Sequence, residues 1–521
     1  MATTKKSALD QPGSNFLLSS NLNHESKGNN ITVNIFSEKS EEKTISTISG
    51  DVSQEFDSEY LVSWDKQLDP LNPVNFSIPL KILNTGLITL VCCLNIAAIG
   101  ILAPSASSIL SEFKAQNASL GSLVVSIYIL GLGFGPLIMA PLSEVIGRVP
   151  VYNLSVFGFV IFNICCAKST SLQILIFFRF LSGVFGSVTE TNGGASISDL
   201  FSPSQRGLVL TLYALGPVIA GIISPVIGGF ITDGLGWRWI FWLLAIMSGI
   251  FGTLGMVFLR ETYAPVILER KAARLRKETG NMRFRSVFQN NTSSRKTFLL
   301  AFVRPFKLLI FSPIIFSTAI FLGLVNGYQY LMLTSYSSIF RNQYHFSISA
   351  ISLSYLGAGV GCLLGLFIFA IQTTILYGSQ KNKETGLEPE TRLRGIIWTY
   401  ALMPLGLLLY GWTAQEKLHW LLPILGTGVI SCGSLHVFLC ILVYVIDCFP
   451  LHAASASTGN TFLRNSVATV IPLAGPPMFK SLGVGWGCSL LALISCILLP
   501  FPWTIMKYSA TLRSRYVVKN I

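Results

Sequence analysis

Twelve mostly apolar stretches constrain the fold of this chain more than any other feature. Each is about 18–25 residues long, enough to cross a hydrocarbon core of roughly 30 Å as an α-helix. Lipid cannot pair with free backbone groups, and the alternation typical of membrane strands is absent, so these stretches are predicted to be helices. They lie roughly at 81–103, 120–140, 151–168, 172–198, 207–231, 237–259, 309–333, 347–373, 395–413, 419–446, 457–479 and 485–506.

The composition also argues against a soluble protein. Only 12% of the 521 residues are charged and 51% are apolar, whereas a soluble domain is about 25% charged. No signal peptide is recognisable before the first stretch. Residues 1–80 are rich in Ser, Asn, Glu and Lys, which predicts a disordered cytoplasmic tail.

The distribution of basic residues predicts the topology. The net charge is +13, and Lys and Arg are concentrated in alternate loops, which places both termini in the cytoplasm. The basic run at 269–285 is interpreted as a topology signal near lipid headgroups rather than a nucleic-acid site. The predicted domains are a tail at 1–80, six-helix halves at 81–259 and 309–506, a basic linker at 260–308 and a second tail at 507–521.

No catalytic constellation stands out in the sequence. A P-loop, a metal-binding helix motif and a nucleophile elbow are all absent. The ten cysteines show no paired external spacing, so neither disulfides nor metal ligands are expected. The chain is therefore predicted to be a monomeric membrane protein, not an enzyme, that uses no cofactor or metal. Its expected partners are a small-molecule substrate, protons and the lipid bilayer, with an ion gradient as energy source.

Two motifs stand out for their glycines. In "GPLIMAPLSEVIGRVPVY" (135–152), Gly147 permits a tight turn, Arg148 lies at the inner face and Glu144 lies near a helix end. The alternative is a plain turn with a topology-setting arginine. The fifth span is predicted to pack closely and to bend, or simply to pack against its neighbours. The residues that predict this are Gly216, Pro217, Gly221, Pro225, Gly228 and Gly229.

These segments resemble the major facilitator superfamily, in particular the fungal twelve-span drug:proton antiporters. "APLSEVIGR", "RFLSG" (179–183) and "GPVIAGIISPVIGG" are similar to three motifs of that family, and the resemblance runs from Asp69 to Tyr516. It implies an all-α fold of two six-helix halves, with export of drugs, toxins or secondary metabolites by alternating access across the plasma membrane, or alternatively the vacuolar membrane. Val145, Val149, Ala220 and Ser224 depart from the motifs.

Two charges inside the fourth span are candidates for proton coupling. An intramembrane charge is costly, by about 2.5 kcal/mol or more. The resemblance associates Arg179 with proton transfer; the alternative is that it bonds backbone carbonyls and locks helices. Glu190 lies about 16 Å further along the same helical face, so both are predicted to line one cavity. Glu190 is not part of the resemblance and is predicted to carry the proton or to attract a cationic substrate.

Further polar residues are predicted at the inner gate and in the cavity. Asp199 and Asp447 match acids of the family at inner helix ends, and Asp199 is expected to contact Arg148 or Arg206. The residues predicted to line the cavity are Asn95, Tyr213, Asn326, Gln329, Tyr330, His436, Tyr444 and Asn460. For each of these, a hydrogen bond between helices is the alternative. His436 has a side chain that can titrate near neutral pH.

Two other functions remain open from the sequence. Proton-coupled transport of a nutrient such as a polyamine or vitamin would use the same architecture, although sugar-porter signatures are absent. A non-transporting receptor would be expected to carry a large sensor domain or a long signalling tail. The terminal tails do not favour that alternative.

Overall fold

The computed structural model describes residues 60–65, 69–288, 294–380, 389–449 and 452–515. Within them, eleven helical segments are long and apolar enough to cross a membrane. The last segment, Ala453–Ser509, is 57 residues long and contains a break at Gly483, whose φ is 79°. At about 1.5 Å per residue, it is long enough for two passes. The helices therefore agree with the twelve predicted spans and with the predicted all-α membrane fold.

The N-terminal half contains helices that follow one another with short connections. They are α1 Ile78–Gly100, α2 Ala106–Glu112, α3 Ala118–Ile146, α4 Arg148–Ala167, α5 Leu172–Gly186, α6 Val188–Leu200, α7 Pro203–Leu235 and α8 Arg238–Phe258. The first pass is formed by α1 and α2, and the fourth by α5 and α6. Gly147 and Gly236, with φ of 105° and 90°, form the turns before α4 and α8. The turn predicted at Gly147 is thus present.

The linker and the C-terminal half are also helical. They contain α9 Ala264–Thr279, α10 Ser294–Phe311, α11 Pro313–Tyr344, α12 Ile348–Ser354, α13 Leu356–Gln380, α14 Ile396–Tyr400, α15 Leu402–Gln415, α16 Leu421–Cys448, α17 Ala453–Ile497 and α18 Phe501–Arg515. A 3₁₀ turn at Pro389–Leu393 precedes α14. The eighth pass is formed by α12 and α13, the ninth by α14 and α15, and the twelfth by the end of α17 with α18.

The hydrophobic core is divided between the two halves. One large buried cluster is built almost entirely from the C-terminal half, and two smaller clusters from the N-terminal half. Tyr330 of α11 is an exception, because it packs against the N-terminal core. The halves meet mainly where α3 packs on α17 and where α7 packs on α12 and α13. Separate cores joined along such seams allow the halves to move as units.

Residues just before the first pass differ from the predicted disordered tail. Strand β1 (Leu61–Val62) pairs in parallel with β2 (Arg285–Ser286), so this segment is tied to the linker. Lys271 of α9 lies 2.7 Å from an Asp65 oxygen and 3.3 Å from an Asp69 oxygen. The ordered chain thus begins earlier than 80. Residues 1–59 and 66–68 of the predicted tail, and 516–521 of the second tail, lie outside the described residues.

Candidate functional site

The two halves are joined at the outer side, opposite the linker. Arg341 at the end of α11 donates to the Ser107 hydroxyl at 3.3 Å, and Ser349 of α12 donates to Asp233 of α7 at 2.5 Å. On the inner side, α6 packs mainly against helices of its own half. These bonds join the halves on the outer side, while on the linker side α10 packs against both α3 and α17.

Arg179 lies inside the N-terminal half rather than in that space. It is fully buried, and its guanidinium donates to the carbonyl oxygens of Ala98 at 3.0 Å and Val124 at 3.3 Å. It also lies over the ring of Tyr128, 4.6 Å from the centroid. Arg179 therefore ties α5 to α1 and α3. The prediction that Arg179 lines a cavity with Glu190 is wrong, because its side chain points into the helix packing of its own half.

Close helix contact places Arg179 within reach of those carbonyls. A Cβ at Gly183 would lie 2.2 Å from the Tyr128 carbonyl oxygen, and one at Gly131 would lie 2.3 Å from that of Phe180. Only glycine permits α3 and α5 to approach so closely. The close packing of α3 on α5 thus explains the spacing of Arg179 and Gly183 in "RFLSG".

Glu190 is paired across the two halves. Its carboxylate lies 3.9 Å from a guanidinium nitrogen of Arg464, which is on α17. Glu190 is about 15 Å from the inner end of α6 at 1.5 Å per residue, yet 37% of its side chain is exposed. An acid that is deep in its span and partly exposed, opposite a residue of the other half, lies at the interface between the halves. That Glu190 lines a cavity stays a prediction.

Arg464 was not anticipated from the sequence. Only 6% of the residue is exposed, and its guanidinium carbon lies 4.7 Å from the centroid of the Phe438 ring. Its Nε is buried without a hydrogen-bond partner among the described residues. Arg464 is therefore an intramembrane cation that is only loosely compensated. The same signal that singled out Arg179, an arginine within an apolar span, was available at this position.

Three of the predicted cavity residues surround this pair. Asn95 of α1 donates to the Thr189 hydroxyl at 2.9 Å, and Tyr213 of α7 donates to the Thr189 carbonyl at 2.6 Å. Both bonds fix the turn of α6 that carries Glu190. Tyr330, from α11, lies within electrostatic range of both Glu190 and Arg464. The site is thus built by α1, α6, α7, α11 and α17.

The other predicted cavity residues lie elsewhere in the C-terminal half. Half-buried Asn326 is on α11, and Gln329 donates to Ser431 at 2.9 Å. His436 bonds Thr399 at 2.8 Å and Gln372 at 2.7 Å, and is fully buried.

Tyr444 bonds Ser509 at 2.6 Å, and Asn460 donates to Thr318 at 3.1 Å. For His436, Tyr444 and Asn460, the prediction of a cavity position is wrong. Each of them forms a hydrogen bond between helices of the C-terminal half, because it lies on the face of its helix that packs inside that half.

An electrostatic clamp closes the inner end of the N-terminal half. Arg148 donates to Ser143 at 2.8 Å, lies 3.7 Å from an Asp199 oxygen, and lies 4.9 Å from the centroid of Tyr263. Glu261 accepts the backbone N–H groups of Arg148 and Val149 at 2.9 and 3.2 Å. The sequence predicted the contact between Arg148 and Asp199, but it did not indicate the part played by Glu261.

Two other predicted gate residues lie around this clamp. Arg206 donates to the Ser198 carbonyl at 2.7 Å rather than contacting Asp199. Glu144 is exposed and lies within electrostatic range of Arg148 and of Arg304 on α10. Glu144 therefore lies where α3 meets α10, the second helix of the linker.

The C-terminal half repeats the clamp. Arg392, just before α14, donates to Asp447 at the inner end of α16 at 3.2 Å. Arg148 opens the third pass and Asp199 closes the fourth, while Arg392 opens the ninth pass and Asp447 closes the tenth. The two ion pairs thus occupy equivalent places in the two halves. This correspondence supports a duplicated construction that the sequence itself shows only faintly.

The glycines of the fifth span lie where α7 meets other helices. A Cβ at Gly228 would lie 1.8 Å from the Ile101 carbonyl oxygen, and one at Gly229 would lie 1.5 Å from the Ser352 hydroxyl oxygen. Gly216 faces Thr89 and Cys93 at 2.9–3.0 Å, whereas Gly221 has only an ordinary contact. Pro217 and Pro225 lie within the continuous helix α7. This span therefore packs against α1 in its own half and against α12 in the other half.

Comparison with known proteins agrees with this architecture. The family model of the Major Facilitator Superfamily matches residues 88–473. The chain is 42% identical over 483 residues to the MFS-type transporter tndD of Aspergillus flavipes, covering 91% of this chain and 89% of that protein. It is 38% identical to the efflux pump radE of Floropilus chiversii over 463 residues, covering 88% and 86%.

A solved structure shows the same fold at low sequence identity. The xylose transporter XylE from E. coli, in a partially occluded inward-open conformation, superposes with a TM-score of 0.59 at 15% identity. The match covers 82% of this chain and 98% of that structure.

Proposed function

Because this chain belongs to the Major Facilitator Superfamily and is a multi-pass membrane transporter, not an enzyme, we propose that it exports amphipathic small molecules in exchange for protons. The substrates are drugs, toxins or secondary metabolites, and the protein acts at the plasma membrane. The name of radE, an efflux pump, supports the direction of transport. Alternating access follows from two halves with separate cores.

The observation that carries this proposal is the position of Glu190. A carboxylate is costly in a membrane interior, and such a residue marks an ion or substrate path. Glu190 lies where the halves meet, with 37% of its side chain exposed, and faces Arg464 at 3.9 Å. A single acid at this place can hold either a proton or a positively charged or hydrogen-bond-donating group of the substrate. Exchange requires that the proton and the substrate compete for the same carboxylate.

The surroundings of Glu190 suit an amphipathic substrate. Tyr330 and Tyr213 lie within electrostatic range of the acid, and Phe134 of α3 meets Phe462 of α17 at 5.0 Å between ring centroids. Such a wall offers apolar contact area with few polar groups that fix orientation. This combination supports a substrate with an apolar body and a polar or cationic end.

Arg179 has a supporting part in this proposal. Its fixed bonds to α1 and α3 hold the N-terminal half together while that half moves as a unit. The proton is assigned to Glu190, because Arg179 has no ion pair with an acid among the described residues. Coupling through Arg179 is therefore indirect, by keeping α5 and α6 in position.

Transport in membrane vesicles tests the proposal. Inverted vesicles carrying the protein are supplied with rhodamine 6G, a set of neutral amphipathic fungal metabolites, and spermidine as a nutrient-type cation. We expect accumulation of an amphipathic compound that requires the proton gradient and is lost with an uncoupler. Vesicles with Glu190→Gln serve as the matched control. Accumulation that survives the uncoupler would contradict proton exchange, and accumulation of spermidine alone would favour the polyamine alternative.

A further inference from the structure

We propose that Arg464 is a coupling residue that closes the inner side of the cavity when Glu190 is ionised and lets it open when Glu190 is protonated. This inference rests on the proposed function, in which Glu190 carries the transported proton. The inference adds to that function the contribution of Arg464, a residue of the other half, and the direction in which protonation moves the two halves.

The two residues lie at the same depth. Glu190 is ten residues before the inner end of α6, and Arg464 is eleven residues after the inner start of α17. These separations are about 15 and 16 Å along the helix axes. Both residues are therefore in the inner half of the bundle, on opposite sides of the boundary between the two halves. When the inner ends of the halves approach, the two charged groups also approach.

At the observed separation the ion pair is not a direct hydrogen bond. A charge-assisted hydrogen bond between a guanidinium and a carboxylate is about 2.7–2.9 Å long, whereas the observed separation is 3.9 Å. About 1 Å of approach would therefore convert a loose ion pair into a direct bond. The attraction acts across the halves, so it favours the closed inner side.

Arg464 gains most from such an approach. Its Nε has no hydrogen-bond partner among the described residues, and the ring of Phe438 covers one face of the guanidinium. A buried cation without direct hydrogen bonds is costly in a membrane interior. Closing onto Glu190 supplies a bond to a carboxylate, while a protonated Glu190 supplies no charge to attract it.

Glu190 is the group near this pair that changes its charge under mildly acidic conditions. The titratable groups within its electrostatic range are Cys92 on α1, Tyr128 on α3, Tyr213 on α7, Tyr330 on α11 and Arg464 on α17. Ordinary pKa values are about 8.5 for cysteine, 10 for tyrosine and above 12 for arginine. The tyrosines and the arginine keep their charge between pH 4 and 8, and a thiol begins to ionise only near the upper end, which leaves the carboxylate as the switch.

The direction of movement agrees with proton-driven export. A proton taken up from outside cancels the attraction and favours the state that is open inward. Release of that proton inside restores the attraction and draws the inner ends together. The carrier then opens outward with its substrate. Protonation and conformation are linked because the ionised acid interacts differently with Arg464 in the two states.

Distance measurement between spin labels tests this inference. Labels at Gln205 and Ala454, exposed residues at the inner ends of α7 and α17, report the inner opening. Labels at Asn117 and Ser481 report the outer side. The samples are purified full-length protein in detergent, without substrate or gradient, in a background that lacks reactive native cysteines.

We expect the ratio of inner-closed to inner-open protein to rise about five- to tenfold from pH 4.5 to pH 8, within the usual range of coupling between sites. The outer labels should move apart over the same range. Glu190→Gln should keep the low-pH ratio of inner-closed to inner-open protein at both pH values, and Arg464→Gln should lose the pH response. The exchanged pair Glu190→Arg with Arg464→Glu should recover it. Glu278→Gln, on the surface of α9, is the control that keeps the response.

Three results would overturn the inference: no pH response in the wild type, an unchanged response in folded Glu190→Gln, or an unchanged response in folded Arg464→Gln. A single sharp gel-filtration peak shows that each variant is folded. These distances require no transport. A protein that exchanges protons for substrate but shows no pH-dependent closure would refute only the role of Arg464. A protein that closes with pH but transports without a gradient would refute the proposed function.

Discussion

Arg179 and Arg464 are both buried arginines in membrane-spanning helices, and they are stabilised in different ways. Arg179 is 0% exposed and donates to two backbone carbonyls of its own half. Arg464 is 6% exposed and faces the movable acid Glu190 of the other half at 3.9 Å. Because its partners are backbone carbonyls, Arg179 holds its helices in a fixed arrangement. In the proposed cycle, a titratable partner on the other half makes the second charge responsive to protons.

The largest effect is expected from Arg179→Ala. The substitution leaves the Ala98 and Val124 carbonyls without their donor, and an unpaired buried group costs about 1–3 kcal/mol. We expect the apparent melting temperature in detergent to fall by several degrees, with transport lost as a consequence. Fluorescence-monitored melting measures this.

Arg179→Lys is the matched variant for that comparison. Lysine keeps the charge but lacks the planar fork that reaches two carbonyls at once. It should recover only part of the lost stability. If Arg179→Ala melts like the wild type and still loses proton-driven transport, Arg179 takes part in coupling directly, and the comparison with Arg464 fails.

Arg464→Gln is expected to reduce transport while leaving stability nearly unchanged. Glutamine removes a cation that has few direct bonds, and Glu190 can become protonated when it loses its partner. We expect a melting temperature within about 2 °C of the wild type, as for a change of under 1 kcal/mol. Gradient-driven accumulation should fall about tenfold, as for a lost coupling energy near 1.4 kcal/mol. A large loss of stability with normal coupling would make Arg464 a structural residue like Arg179.

A smaller effect is expected from the inner clamps. Arg148→Ala removes the contacts to Ser143, Asp199 and Tyr263, and Arg392→Ala removes the bond to Asp447. Because the two clamps occupy equivalent places, each variant should slow the initial rate of transport about two- to tenfold, the range of a modest coupling energy. Tracer uptake into vesicles measures the rates. An effect of only one of the two substitutions would contradict functional equivalence of the halves.

The smallest effect is expected where the segment before α1 meets the linker. Burial opposes ionisation of Asp69, but the backbone N–H groups of Leu71 and Asp65 and the charge of Lys271 lower its pKa overall. Burial likewise opposes the charge on Lys271, yet Asp65 and Asp69 raise its pKa. Asp69 therefore stabilises this contact above its unfolded pKa near 3.8, and the contribution is lost as the pH falls through the lower folded value. The contribution of Lys271 is lost only above about pH 10.5.

Asp69→Asn should weaken this largely buried contact by about 1 kcal/mol, because asparagine loses the charge opposite Lys271 but keeps an oxygen that accepts a backbone N–H. Hydrogen exchange of peptides that contain β1 and β2 should accelerate about two- to fivefold at pH 7 for that energy. Transport should be unchanged. Equal exchange in the variant and the wild type would show that the strand pairing holds without the ion pair.

The sequence predicted the helices well because hydropathy over about 20 residues is a local signal. It also predicted the depth of Glu190, which follows from its place in a span. It could not predict which way a side chain points. His436 and Tyr444 have the same mid-span polarity as Tyr213, but helix rotation in the folded bundle directs them into the C-terminal half.

Contacts between distant parts of the chain also could not be predicted from the sequence. Glu190 and Arg464 belong to different halves, so only the packing of α3 on α17 brings their helices close. Glu261 accepts N–H groups at the start of α4, although it follows the sixth pass. The segment at 60–76 was too polar to indicate a packed structure, and its order depends on the linker that it contacts.

Proton-driven transport by Glu190→Gln tests the central claim most directly. The measurement compares uphill accumulation with downhill exchange in proteoliposomes, using whichever amphipathic probe the wild type concentrates. Glutamine keeps the shape of the side chain but cannot release a proton. We predict that uphill accumulation driven by an imposed pH gradient is abolished while exchange of probe across the membrane persists. Normal uphill accumulation by folded Glu190→Gln would contradict the assignment of the transported proton to Glu190.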